Sequence, residues 1–400
     1  MTAIVLLLSG CAVTPQTHES ATSWTTTWAT ATEDIREGFW MSKGHFPPMP
    51  LKDNTLRMFM RTSIGGSTVR VKFSNAFGTT PITIQSAHLA QAKTANASET
   101  NGAIDISTDT PLTFSGAATV TIAPGETLYS DQVDFPLTPL EVVAISIHYG
   151  NIAQKPITGH RGARTTSFFA EGNTVSSQAM GDVTTKDVWY TATAIEVLAP
   201  TAGKTVVAMG DSITDGYGTR YNYHTRWTDY LAERLQNNPD TAAVAMANMG
   251  IGGAGAAMSI DRFERDVAQI KGAGWLVIFI GINDIVYGDN RDASYLINQY
   301  KEMAELARGQ GLAVIGATIT PMGDHSKKAG KEATRQAVNN WIRATALQDN
   351  IYDSVIDFDK IVRDPKRPAY LLPDYAVDDL HLNITGYQAM ADAVDLTLFK

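Results

Sequence analysis

The sequence predicts two domains of different class, an all-β sandwich or jelly roll followed by an α/β domain with a doubly wound, mainly parallel sheet. Three observations carry this. Short β-type runs punctuated by glycine, proline and asparagine fill residues 55–198, with no convincing helical period among them. Beyond Leu198-Ala-Pro-Thr-Ala-Gly203, a linker of proline, glycine and small residues, strand-like and helix-like segments alternate. The 400 residues are 44% hydrophobic, enough chain for two cores.

In the first domain the runs are Leu56–Ser63, Thr68–Ser74, Ile82–Leu89, Ala118–Ile122, Val142–His148 and Val188–Val197. Val69-Arg70-Val71-Lys72-Phe73 alternates, giving one apolar and one polar face. In the second domain the expected strands are Val206–Met209, Ala243–Ala247, Leu276–Ile280, Ala313–Thr318 and Val355–Phe358. Helices are expected near Trp227–Gln236, Ser259–Ile270, Ala293–Arg308, Glu332–Ala346 and Ile384–Leu398. Pro321, Pro365, Pro368 and Pro373 fall between elements, as this parse requires. The expected boundaries are a signal segment at 1–11, a tether at 12–30 rich in Thr, Ala and Ser, the sandwich at 31–199 and the α/β domain at 200–400.

Composition excludes several function classes. A net charge of −9 leaves no basic stripe for nucleic acid. No apolar run reaches the roughly 18–20 residues of a spanning helix. The single cysteine, Cys11, rules out an intrachain disulfide and a multi-cysteine metal site. No His-Glu-x-x-His or similar spacing appears, so neither a metal nor a cofactor is expected. Gly250-Ile-Gly-Gly-Ala-Gly255 has the spacing of a dinucleotide loop. However, it follows the second strand of its domain rather than the first, and lacks the acidic strand end about 20 residues on.

In a parallel sheet the carboxyl ends of the strands share one edge, so polar residues there can meet. Read in order, those ends give Ser212 in Gly210-Asp-Ser-Ile213, then Asn248-Met-Gly-Ile-Gly-Gly253, then Gly281-Ile-Asn-Asp284; Asp378-Asp-Leu-His381 precedes the last helix. Each has a use in acyl transfer. A serine hydroxyl is a weak nucleophile that needs a histidine base oriented by a carboxylate. Asp378 and His381, three apart, would share a face of a helical turn and serve Ser212. The backbone N–H groups of Ser212 and Gly253 and the Asn283 amide would receive the developing oxyanion. Glycine at 253 lets substrate approach the backbone closely.

These four blocks, in this order, resemble those of the SGNH (GDSL-type) hydrolase superfamily over about residues 204–400. The four family letters match Ser212, Gly253, Asn283 and His381, with Asp378 as the triad carboxylate. The resemblance implies a flavodoxin-like catalytic domain and a carboxylic ester hydrolase without cofactor. Thr62-Ser-Ile-Gly-Gly66 and Ser74-Asn-Ala-Phe-Gly78 are similar to segments of exported bacterial members with a preceding β-sandwich. That family includes esterases, lipases, lysophospholipases, thioesterases and carbohydrate deacetylases, so the substrate is expected to be a small-molecule or carbohydrate ester. Gly253-Ala-Gly255 departs from the Asn-Arg often found after the block-two glycine. The N-terminal Ile4-Val-Leu-Leu-Leu-Ser-Gly10 followed by Cys11 resembles a lipoprotein signal whose cysteine is lipidated, although Met1-Thr-Ala3 carries no positive charge. It implies export and a lipid anchor at the cell envelope, at the outer membrane or periplasmic face, or otherwise secretion.

Other side chains receive blander assignments. His224, in the turn after Ser212, is expected to be a solvated loop residue, His160 and His325 surface residues, and His148 structural. Asp211, Asp284 and Asp379 are expected to cap or satisfy backbone groups. Trp24, Trp28, Trp40 and Trp189 are expected in core packing rather than on a carbohydrate platform. The alternative to an esterase is a surface-anchored glycan-binding protein whose sandwich is the working part.

Overall fold

In the computed structural model, residues 22–35, 44–151, 156–200, 203–289 and 291–400 are described. Cys11 and Trp40 lie outside them. The N-terminal half is a stack of antiparallel sheets. One joins Thr22–Ala29, Ala192–Pro200 and Gly66–Ser74, with Thr127–Tyr129 and Val133–Leu137 both paired to Gly66–Ser74. The second runs Thr184–Lys186, Ser167–Glu171, Lys52–Arg61, Val142–Asn151, Ile82–Gln91, Thr110–Leu112, with Val120–Ile122 also on Ile82–Gln91. A small third sheet joins Trp189–Tyr190, Ile157–His160 and Glu33–Ile35.

The expected alternation holds: Val69, Val71 and Phe73 are buried while Arg70 and Lys72 are only half-buried. Those three pack with Met58, Met60, Ile145 and Ile147 in the sandwich core. Trp28 and Trp189 are buried there edge to face, ring centroids 5.0 Å apart. The half-buried Trp24 lies under Arg70, whose guanidinium carbon is 4.2 Å from the ring centroid. Of the tether expected over 12–30, residues 12–21 lie outside the described residues and Thr22–Ala29 is a strand instead. It is tied to the C-terminal half: Thr26 N donates to Lys271 O at 2.9 Å, Thr205 Oγ1 donates to Thr26 O at 3.0 Å, and Thr30 just beyond it bridges Asn248. Threonine-rich sequence is as compatible with a strand as with a linker, and long-range partners decide between them.

The C-terminal half holds a five-stranded parallel sheet, in spatial order Val244–Gly250, Lys204–Gly210, Ala273–Phe279, Ala313–Ala317, Ser354–Ile356. Numbered along the chain this is 2-1-3-4-5, the flavodoxin-like order. Val206–Met209 is wholly buried because helices cover both faces of such a sheet, and a strand buried on both sides reads as an unbroken apolar run. Helix Trp227–Gln236 packs against Ile384–Asp392, while Ala293–Gly309 packs against Ala256–Asp261 and Lys331–Asn340. Two expected helices are interrupted. Ser259–Ile270 becomes Ala256–Asp261 followed by a π-helical turn at Glu264–Ala268, and the helix at 332–346 passes into a π-turn at Trp341–Thr345.

Candidate active site

The strand order places the crevice between the first and third strands of the parallel sheet, where successive connections leave in opposite directions. Ser212 follows the first of these strands and Asn283 the third. The chain turns at once from strand Lys204–Gly210 into the short helix Ser212–Asp215, whose N-cap Asp211 accepts from Ile213 N at 3.0 Å. Glycine at 210 and 250 permits this tight turn. A Cβ on Gly210 would lie 2.2 Å from Thr214 Oγ1, and one on Gly250 would lie 2.2 Å from Asp215 N.

Ser212 Oγ is 2.8 Å from His381 Nε2, and His381 Nδ1 is 2.9 Å from Asp378 Oδ2. Asp378 and His381 do not share a helical turn, as their spacing suggested. They sit in a loop pinched shut by the Ala376–Leu382 bridge and by Val377 N donating to His381 O at 2.9 Å. The carboxylate closes the loop on itself by accepting from Leu380 N and His381 N, each at 2.8 Å. Partial burial alone would raise the Asp378 pKa, but these amides and the imidazole hold it below the ordinary carboxylate value. It therefore remains ionised beside the imidazole. The Tyr217 ring packs on His381, centroids 4.2 Å apart.

On the far side of the crevice, Gly253 takes φ +83°, in the left-handed region that glycine enters freely. Asn283 Nδ2 donates to Ala254 O at 2.9 Å, and Asp284 Oδ2 accepts from Ala256 N at 2.8 Å. An amide nitrogen carries two hydrogens, so this anchor leaves Asn283 one donor for an oxyanion. The departure at Gly253-Ala-Gly255 acquires a reason here: a Cβ on Gly255 would lie 2.8 Å from Asp284 Oδ1. Asp284 is fully buried and also receives Arg291 Nη1 at 2.6 Å. Burial nevertheless keeps its pKa above the usual carboxylate value.

Ser212, Gly253, Asn283 and His381 line one cleft of about 930 Å³. The sandwich supplies part of its wall through Glu33, His45, Arg161, Gly162 and Arg164. Three ion pairs balance charge around it: Arg161 with Glu33, Arg164 with Asp215, and Arg291 with Asp284. Tyr287, 65% exposed, and Tyr217 stand at the cleft as accessible aromatic faces.

Two histidines differ from expectation. His160 is buried, stacked on Trp189, with Nε2 3.0 Å from Asp215 Oδ1. His224 is also buried, in the interface between the two halves rather than in solvent, and desolvation pulls its pKa down to about 4. Asp379 Oδ2 accepts from Asp324 N at 3.2 Å, a backbone-satisfying role like that of Asp211. Sequence reading also missed Arg262. Its guanidinium donates to Met249 O at 2.7 Å and to Gly210 O at 3.3 Å, bracing the strand ends before Gly253 and Ser212. Nothing in its helical spacing marks this, although Arg262 and Asp266 at i,i+4 could have suggested a pair.

Residues 208–389 match the model of the GDSL-like lipase/acylhydrolase family. That segment carries all five residues of the constellation.

The C-terminal half is a GDSL-like lipase/acylhydrolase domain.

Solved structures similar to the GDSL-like domain include three of this kind. A member of the lipolytic G-D-S-L family from Veillonella parvula is 25% identical, over 48% of this chain and 95% of its own, at a TM-score of 0.38. An acetyl xylan esterase is 25% identical, over 47% and 96%, at 0.40. A variant of an acetyl-xylooligosaccharide esterase from Geobacillus is 19% identical, over 48% and 92%, at 0.39. A search of curated proteins finds no match. A β-rich half precedes the GDSL-like lipase/acylhydrolase domain.

Proposed function

We propose that the protein is an exported serine ester hydrolase that works through an acyl-enzyme, with Ser212 as nucleophile, His381 as base and Asp378 as its orienting carboxylate. The observation that carries this is the hydrogen-bonded row Ser212 Oγ–His381 Nε2–His381 Nδ1–Asp378, at 2.8 and 2.9 Å. Ser212 Oγ attacks the ester carbonyl while its proton passes to His381 Nε2. The resulting oxyanion accepts from the N–H groups of Ser212 and Gly253 and from Asn283 Nδ2. Collapse expels the alcohol, protonated by His381, and leaves an acyl-serine. Water, deprotonated by the same imidazole, then releases the acid and restores Ser212.

Three features favour an uncharged, hydroxyl-rich substrate such as an O-acetylated carbohydrate. Among the described residues, the arginines that line the cleft are each paired with a carboxylate, which leaves an anionic headgroup no advantage there. Tyr287 and Tyr217 offer exposed faces of the kind on which sugar rings pack. The cleft volume, about 930 Å³, is large for a lone acetyl group and accommodates a bulky alcohol part. Export and lipidation rest on Leu8-Ser-Gly-Cys11.

Substitution Ser212→Ala is expected to lower kcat on p-nitrophenyl acetate by at least about a thousandfold, with the circular dichroism spectrum unchanged. Hydrolysis rates across acyl chain length, set beside acetate release from acetylated xylan, test the substrate class. A maximum at long acyl chains with no acetate release would exclude the carbohydrate reading in favour of a lipase or lysophospholipase.

A further inference from the structure

The cleft is not built by the GDSL-like domain alone. The sandwich loop after strand Ile157–His160 reaches across to the turn that carries the nucleophile, and its contacts converge on one carboxylate. Asp215 closes the helix that Ser212 opens. Its Oδ1 lies 3.0 Å from His160 Nε2, its Oδ2 accepts from Arg164 Nη2 at 2.9 Å, and its carbonyl accepts from Arg226 Nε at 2.9 Å. Two of these three partners come from the sandwich.

We infer that Arg164 and Asp215 are positioning residues for ester hydrolysis, through which the sandwich fixes the Ser212 turn and the imidazole of His381 that faces it. This rests on the reading of Ser212 and His381 as nucleophile and base. The turn is short and has little freedom: Gly216 N and Tyr217 N both donate to Ser212 O, at 3.0 and 2.9 Å, and Asp215 N donates to Asp211 O at 2.9 Å. A displacement of Asp215 is therefore transmitted to Ser212 within one helical turn. The other end of the turn carries Tyr217. Its carbonyl is held by Tyr387 Oη at 2.6 Å, and its ring packs on the His381 imidazole with its centroid 5.8 Å from the Arg164 guanidinium carbon. One sandwich arginine thus borders both the carboxylate behind the nucleophile and the ring behind the base.

The sandwich loop is itself fixed in place. Arg226 Nη2 donates to Gly162 O and Ala163 O at 2.9 and 2.7 Å, Asn222 N donates to Arg164 O at 2.8 Å, and Asn222 Oδ1 accepts from Thr166 N at 2.7 Å. The fit at Asp215 is close: a Cβ on Gly162 would fall 1.8 Å from Asp215 Oδ1. Burial alone would raise the Asp215 pKa, yet Arg164, then His160 and Arg226, bring it down to about 2. The carboxylate is therefore a permanent anion at working pH. A buried ion pair is weak evidence for stability by itself, because desolvation offsets much of the attraction. Its placement one turn from a nucleophile, where misplacement by about 1 Å can cost about a hundredfold in rate, gives it a catalytic consequence.

Steady-state kinetics of the full chain on p-nitrophenyl acetate test this, with thermal melting followed by circular dichroism for every variant. Arg164→Ala is expected to lower kcat at least about tenfold while KM stays within about threefold, with Arg164→Lys recovering part of the loss. Millimolar guanidinium is expected to restore activity to Arg164→Ala, whereas tetramethylammonium at the same ionic strength does not. Gly162→Ala keeps every charge but displaces the Asp215 carboxylate, and is expected to lower kcat in the same way. A wild-type kcat in Arg164→Ala overturns the proposal. So does a loss that follows the unfolded fraction and is not recovered by guanidinium. Ser212→Ala is measured alongside: if it is as active as wild type, the reading of the site itself fails, whatever Arg164 does.

Discussion

Asp211 and Asp215 flank one helical turn, and their surroundings drive them in opposite directions. Burial, reinforced by the nearby carboxylates Asp284 and Asp215, pushes Asp211 up to about 7, while the cations around Asp215 hold it at about 2. The raised group favours the folded state below the unfolded pKa, near 4, and loses that contribution as pH climbs through about 7. Asp211→Asn keeps the oxygen that accepts from Ile213 N and cannot ionise. Its unfolding free energy relative to wild type, from urea denaturation, should therefore rise between pH 4 and 7 and level off above, by an amount on the order of 3–4 kcal/mol. A difference that stays flat with pH would show that Asp211 is not held protonated by the fold. Asp215 behaves conversely, contributing about 2 kcal/mol above pH 4 that is lost as pH falls toward 2. Ser212, Gly253 and Asn283 were readable at this scale because strand ends of a parallel sheet share an edge, and Asp378 and His381 because of their spacing ahead of the last helix. His160, Arg164 and Asp215 were not, since their partners lie more than 50 residues apart and in different domains.

Among the elements, the parallel strands and most helices followed from apolar periodicity, and departures occur where a polar side chain has been drawn inward. The helix expected over 259–270 is interrupted at Arg262, whose guanidinium turns in to the Gly210 and Met249 carbonyls and to Asp266, its Nη1 3.0 Å from the carboxylate. Periodicity registers apolar faces and is blind to such a residue. The helical turn expected for Asp378–His381 failed for a related reason: an aspartate that accepts from amides two and three residues on offers the backbone an alternative to a helix. Glycine at strand ends sets how closely the helix Ser212–Asp215 lies on the sheet. Gly250→Ala would put a methyl 2.2 Å from Asp215 N, so the helix must move. Destabilisation of about 1–3 kcal/mol in urea and a loss of kcat of about tenfold or more are expected. Unchanged kcat in a stably folded variant would mean that the turn tolerates the shift.

Across the whole molecule the two halves share structure rather than a hinge. Strand Thr22–Ala29 pairs with the sandwich and bonds to the loop before the third parallel strand, while Arg61 of the sandwich meets Glu233 at 2.8 Å. Ala245 of the parallel sheet packs into the sandwich core, and Ala29 and Ala194 of the sandwich pack into the other. Thermal unfolding of the full chain is therefore expected as a single transition, coincident by tryptophan fluorescence and far-ultraviolet circular dichroism. Two resolved transitions would show that the halves fold independently.

The sequence by itself determined the two fold classes, the order of the parallel strands along the chain and the five residues of the candidate site. Each of these is written in local periodicity, or in motifs tied to strand ends. Tertiary structure alone decided that a threonine-rich segment is a strand, that His160 and His224 are buried, and that the sandwich reaches the Ser212 turn through Arg164 and Asp215. Those outcomes depend on which distant groups desolvate and pair with one another, and a buried charge gives no local sign of where its partner will come from.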